Sequence, residues 1–234
     1  MKLSQKILIV LAGLFFFLVT VYRFKYDKII EIVPLAAKKG KVSAQFVYDS
    51  LNYVSINGWM NVTIVKGDKN RVLIIGPGNL VNYFLAVGQK GDSLIVNQVI
   101  DFSKYADNVV VTVTTKNLSE LKLSGGAACH VRDFNGDNIN LTTSDSSIVV
   151  FTDCLYKNSN LKIIDKSSAS VSSVVNSNID VCGKASLILN CKSGILTGKA
   201  EREASFYTKG EIKENKVQLA ELDLKNEGVK NEKH

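Results

Sequence analysis

The chain has 234 residues, 46% hydrophobic and 22% charged, with a formal net charge of +7. This composition excludes a disordered polymer and leaves room for one β-rich domain plus an anchor, or for two small domains. The charge excess is local: residues 1–44 carry a net positive charge around a hydrophobic segment, while the remainder is nearly balanced, with 21 basic and 20 acidic side chains. No folded face is coated with cations, which argues against nucleic-acid binding.

In chain order, Ile7 to Tyr22 is an uncharged run of sixteen residues. As a helix it spans about 24 Å, against roughly 30 Å of bilayer hydrocarbon. No small-x-small cleavage site lies in Leu18 to Arg23, and the first cysteine is Cys129, which excludes lipoprotein attachment. Residues 1–24 read as an uncleaved signal-anchor helix, with Lys6 and Arg23 snorkelling to the interfaces; a cleaved signal peptide is the alternative. Residues 25–44 form a basic linker, whose Lys38-Lys39-Gly40-Lys41 run is either solvated or in contact with anionic head groups. Counting positive charges on the two sides of the segment would keep the domain in the cytoplasm. A short basic stretch before an apolar run is, however, the form of an export signal.

Strand patterns begin near Val42. Phe46-Val47-Tyr48 and Tyr53 to Ile56 lead to the turn Asn57-Gly58, and Met60, Val62 and Ile64 then alternate with polar neighbours. Val72 to Ile75, Phe84 to Val87, Leu94 to Val96 and Val109 to Thr115 continue the series, and outside the anchor only Leu80 to Leu85 hints at a helical period. From Leu118 a ladder takes over. It reads Glu120-Leu121-Lys122-Leu123, Asn138-Ile139-Asn140-Leu141, Asn160-Leu161-Lys162-Ile163 and Asn178-Ile179-Asp180-Val181. Aligning Leu121, Ile139, Leu161 and Ile179 gives steps of 18, 22 and 18 residues, each followed by a second apolar alternation at Cys129/Val131, Ile148/Val150, Val171 and Leu187/Leu189. A unit of this length cannot bury its apolar positions alone and must stack on copies of itself.

The expected fold is therefore all-β: a right-handed β-helix or β-solenoid-like stack of short strands over residues 45–210, preceded by one transmembrane helix. Residues 211–234 are a charged strand and tail that would block end-to-end stacking. If the rungs stack in register, Asn138, Asn160 and Asn178 form an amide ladder; otherwise they are separate turn residues.

The order and spacing of several segments resemble one family. Tyr53 to Asp68, Gly78-Asn79-Leu80-Val81, Gly91 to Val96 and Leu118 to Ala127 are similar to the auto-transporter adhesin head GIN domain, abundant in Bacteroidetes. The resemblance covers roughly residues 46–210. It implies an exported β-helical protein of the cell envelope, either periplasmic or on the surface, with a proposed adhesive role. It supplies no catalytic residues.

Catalysis would need clustered acids, a base or a metal site. Asp145, Asp165 and Asp180 fall at different offsets of the repeat, and Asp133, Asp137 and Asp153 scatter around turns. His130 and Cys129 point to opposite faces of one strand, so His130 reads as structural or exposed. Trp59 is read as a core residue, with an exposed glycan-stacking aromatic as the alternative. Cys129, Cys154, Cys182 and Cys191 lack metal-ligand spacing and are either small buried side chains or disulfide partners of unknown pairing. The expectation is no catalytic, cofactor or metal site, and no cofactor. The expected function is a non-catalytic, adhesin-like binding module whose partner is an envelope protein or glycan. A structural or regulatory inner-membrane-anchored component is the alternative, and a carbohydrate-active β-helix enzyme is the third possibility.

Overall fold

A computed structural model describes residues 30–31, 41–77, 85–98 and 109–219. The anchor over Ile7–Tyr22 and the tail Lys225–His234 lie outside the described residues, as do residues 80–84. Leu85, which closed the predicted helical stretch, opens a strand. Among the described residues no helix is long and apolar enough to cross a membrane; every regular element there is a strand.

The strands are β1 (Ile30–Glu31), β2 (Lys41–Tyr48), β3 (Tyr53–Asn57), β4 (Asn61–Lys66), β5 (Asn70–Pro77), β6 (Leu85–Lys90), β7 (Ser93–Gln98) and β8 (Val110–Thr115). They continue as β9 (Glu120–Ser124), β10 (Ala128–Arg132), β11 (Asn135–Thr143), β12 (Ile148–Thr152) and β13 (Leu155–Ile163). The last three are long and bent: β14 (Ser168–Val181), β15 (Ser186–Ala200) and β16 (Ser205–Leu219).

Parallel pairing builds a β-solenoid of about 5 turns with two walls. The first wall stacks β7, β3, β9, β11, β13 and the C-terminal parts of β14, β15 and β16. The second stacks β8, β4, β10, β12 and the N-terminal parts of the same three long strands. Side chains alternate along a strand, so each wall sends one set inward. Val54, Leu121, Leu141, Leu161 and Ile179 form one inward column of the first wall, and all are buried. Val62, Cys129, Val149, Ala169 and Leu187 form its counterpart opposite.

Two alignments expected from the sequence are corrected by this register. Leu121 stacks on Leu141, not on Ile139, because the repeat between β9 and β11 is two residues longer than the nearest apolar match suggests. Ile139 instead pairs with Ser159. On the second wall Val149 and Phe151 point inward, whereas Ile148 and Val150 are exposed at 51% and 40%. The run Ile148-Val149-Val150-Phe151 is apolar in both parities, so only its neighbours on β10 and β14 decide which pair is buried.

Between the walls the chain turns on small side chains. Ile148 N donates to Ala127 O, Ser168 N to Ser147 O, Ser186 N to Ser167 O and Ser205 N to Ala185 O, which stacks Ala127, Ser147, Ser167, Ala185 and Ala204 at one corner. All five are buried. Ser167 Oγ donates to Ile164 O at 2.6 Å, whereas Ser147 Oγ is buried with no partner among the described residues.

The front half departs from simple sequential winding. The β3–β4 turn lies between the β7–β8 turn and the β9–β10 turn, so the chain lays down one rung, loops away, adds the rung beneath it and then resumes above. Antiparallel partners close that end: β5 covers β8 and is itself paired with β2, while β6 covers β7. At the other end the predicted boundary at residue 210 falls inside β16, which keeps its pairing with β15 to Leu219.

Candidate binding face

The outward side chains of the first wall stand in columns because the strands stack in register. One column runs Glu120, Asn140, Asn160, Asn178, Thr197. The next runs Lys122, Thr142, Lys162, Asp180, Lys199. A third, on the other side of the first, holds Asn138, Asn158 and Asn176.

The predicted amide ladder is thus two ladders. Asn160 and Asn178 share a column, but Asn138 belongs to the neighbouring one, displaced by the same two residues that shifted Ile139 from Leu121. Asn158 Nδ2 donates to Asn138 Oδ1 at 3.1 Å and Asn176 Nδ2 to Asn158 Oδ1 at 3.2 Å. The column ends where Ile195 N donates to Asn176 Oδ1 at 3.2 Å. In the second column Asn160 Nδ2 donates to Asn140 Oδ1 at 2.9 Å, and Thr197 Oγ1 donates to Asn178 Oδ1 at 3.3 Å. Asn140, Asn158 and Asn176 were missed as ladder members. The signal was present as Asn-x-Asn before an apolar residue at Asn138, Asn158 and Asn176.

The first two columns form an open trough of about 410 Å³ over β9, β11, β13 and β14, with Asn140, Asn160 and Asn178 along it. Charged groups flank the amides. Lys122 Nζ lies 2.6 Å from Glu120 Oε1, and Lys199 Nζ lies 3.5 Å from Asp180 Oδ1. Each amide carries two N–H donors and an acceptor oxygen, and a ladder bond consumes one of each per step. The trough therefore offers regularly spaced donors and acceptors, about 4.8 Å apart along the stack, to an extended polar ligand. The outer face of the second wall has a different chemistry. Val110, Ile148, Val150, Ile188 and Tyr207 are exposed there among Ser and Thr side chains.

Trp59 is 50% exposed, contrary to the core position expected for it. It lies in the turn beyond β3, where its indole rests over Gly126: a Cβ at residue 126 would come within 2.7 Å of the ring. The backbone N–H of Trp59 donates to Gln98 Oε1 at 2.6 Å. His130 faces outward on β10, with Nε2 2.8 Å from Thr152 Oγ1. Asp145 and Asp165, expected at different offsets, occupy equivalent corner positions, with Asp145 N donating to Asp165 Oδ2 at 3.4 Å. Both have positive φ, 52° and 64°, which Asp tolerates because its short side chain bonds locally. Among the described residues no three His, Cys, Asp or Glu side chains converge as metal ligands would.

All four cysteines are free thiols, so none of the possible disulfides is formed. Cys129, Cys154 and Cys191 are buried, and loss of solvent is the main cause that pushes each thiol above its ordinary range. Cys182 is half-buried and pushed up to about 11, first by desolvation and then by its hydrogen bond to Asp180 Oδ1 at 3.0 Å. The three buried thiols, Cys129, Cys154 and Cys191, are packing residues of low reactivity.

The chain is similar to proteins of known sequence and structure. The family described as "Putative auto-transporter adhesin, head GIN domain" matches residues 50–228. A crystal structure described as a "putative adhesin" from Bacteroides fragilis is similar with a TM-score of 0.64 at 14% identity, covering 79% of this chain and 95% of the other. A second "putative adhesin", from Parabacteroides merdae, covers 80% of this chain and 98% of its own with a TM-score of 0.42 at 16% identity. Among curated proteins there is no match.

Proposed function

The chain belongs to the family described as "Putative auto-transporter adhesin, head GIN domain", and on that premise we propose that it is a non-catalytic, adhesin-like binding module of the cell envelope. Its solenoid is right-handed, the hand that parallel crossovers adopt. The segment Ile7–Tyr22 anchors it in a membrane and the β domain is extracytoplasmic, periplasmic or on the cell surface. The first-wall trough is its binding face, and the ligand is an extended, hydroxyl-rich envelope glycan.

One observation carries this reading: the in-register column Asn140, Asn160 and Asn178, flanked by Lys162, Glu120 and Asp180 in one open trough. Amides and carboxylates supply the donors and acceptors that sugar hydroxyls need. The openness suits a polymer crossing the strands better than a small substrate that must be enclosed.

Binding of the full-length protein to a glycan array tests it, with every hit assayed for turnover. Asn160→Ala and Lys162→Ala should each weaken a genuine hit while leaving the circular dichroism spectrum intact. Detected hydrolysis, or hits indifferent to both substitutions, would refute the assignment. Protease accessibility in spheroplasts before and after lysis tests the location. Digestion only after lysis would place the domain inside the cell and rule out an envelope ligand.

A further inference from the structure

Among the described residues the solenoid is closed at one end and open at the other. β5 and β6 cover the first end with antiparallel pairing. At the other, among the described residues, β16 pairs only with β15, leaving one edge of a 15-residue strand without a ladder partner. Phe206, Ile212, Val217 and Leu219 on this last strand are only partly buried against the core. We propose that this end is covered by a second copy of the chain, β16 pairing antiparallel with β16 about a twofold axis between Lys213 and Glu214.

The register follows from two observations. The first is a bulge. Ile212 pairs with Gly194 and Glu214 with Ile195, so Lys213 is an extra residue at the bend. Before it the inward side is even-numbered, with Phe206, Thr208 and Gly210 opposite the buried Leu187, Leu189 and Cys191. Beyond it the inward side is odd-numbered, with Asn215 and Leu219 opposite the buried Leu196 and Ala200. Two antiparallel copies keep inward facing inward only when even-numbered residues before the bend meet odd-numbered ones beyond it, as in Gly210 against Val217 and Thr208 against Leu219.

The second observation is charge. With Lys213 opposite Glu214, Glu211 falls opposite Lys216, and symmetry repeats both pairs. Every charged residue from Glu211 to Lys216 then meets its opposite. A register two residues shorter sets Glu211 on Glu214 and Lys209 on Lys216, and one two residues longer sets Lys213 on Lys216. Parallel in-register stacking would put every charge on its like. The alternating charges of β16 therefore specify one closed, isologous pairing.

Sedimentation and disulfide trapping of the full-length protein in detergent micelles test this. The wild type should sediment as a dimer. Lys213→Glu should weaken dimerisation by roughly tenfold, since two opposite pairs become like pairs, and adding Glu214→Lys should restore it. Lys209 and Gln218 lie opposite each other across the proposed interface, but nine residues apart along one strand, on the order of 30 Å. On mild oxidation the double variant K209C/Q218C should give a covalent dimer, while K209C alone, Q218C alone and the wild type should not. A monomeric mass at every concentration overturns the proposal. So does a charge swap that fails to restore dimerisation, or trapping that is equally efficient in the single-cysteine variants.

Discussion

Replacing Asn158 by alanine isolates the energetic weight of the outer amide ladder. Asn158 is the middle member of its column, donating to Asn138 Oδ1 at 3.1 Å and accepting from Asn176 Nδ2 at 3.2 Å. A third bond, from Asn158 Nδ2 to Asp137 O, is longer at 3.4 Å. A typical intramolecular hydrogen bond contributes about 0.5–1.5 kcal/mol net, and exposed ones sit at the low end because water replaces them. Asn158→Ala should therefore cost about 1–2 kcal/mol. Asn138→Ala breaks one ladder bond at the end of the column and should cost about 0.5 kcal/mol. For a domain of this size the larger loss lowers Tm by about 2–8 °C. Thermal and urea unfolding followed by far-ultraviolet circular dichroism reads both. The double variant should show a favourable coupling of about 0.5 kcal/mol, because the two residues share a bond. Equal costs for Asn138→Ala and Asn158→Ala, or no coupling, would refute a cooperative ladder and reduce these residues to independent surface amides.

Ser147→Ala should stabilise the protein by about 1 kcal/mol in urea unfolding, since it removes a buried hydroxyl that has no partner among the described residues and makes the corner match Ala127 and Ala185; a destabilised variant would reveal a hidden hydrogen bond. Gly198→Ala should cost about 3 kcal/mol or more, or abolish folding. Residue 198 has φ +119°, and a Cβ there would collide with the Ile179 backbone, so strain adds to a displaced ladder; unchanged stability would contradict the close approach of β14 and β15. Cys182, held up to about 11 in the folded protein against an ordinary thiol value of 9.0, binds its proton more tightly when folded. Its contribution to stability is thus full below pH 9 and lost as pH rises from 9 toward 11. Asp180→Asn removes the carboxylate bonded to the thiol and should shift the pH profile of Cys182 alkylation to lower pH; an unmoved profile would leave desolvation as the sole cause.

Much of the architecture could be read from the chain. Alternation with period two at Leu121-Lys122-Leu123 and Leu161-Lys162-Ile163 marks strands with one buried face, and its recurrence at about twenty residues requires stacking. Small residues at Ala127, Ser167 and Ala185 mark corners where no larger side chain fits. The register between rungs was harder. Leu141 and Ile139 are both apolar and both buried, so a single rung does not say which of them continues the column from Leu121. Aligning the paired amides of Asn138-Ile139-Asn140 with those of Asn158-Ser159-Asn160 sets Leu141 over Leu161, but β9 carries no such pair, so the step from Leu121 is fixed only by its backbone pairing. Trp59 departs from the expected core position for a related reason. Alternation is a rule for strands, and Trp59 sits in a turn where a glycine of the next rung gives the indole a platform.

Local alternation is enough to make this protein a stack of short strands with small corner residues, because burial of one face per strand is written in it. The sequence also carried the family resemblance that the match over residues 50–228 establishes. Which residues stand above one another is a property of the folded stack: the insertion of the β3–β4 turn beneath β9–β10, the two amide columns, and the edge of β16 that has no ladder partner among the described residues. Those features depend on the offset between rungs about twenty residues apart. That offset is fixed only when backbone hydrogen bonds close between strands that local sequence does not relate.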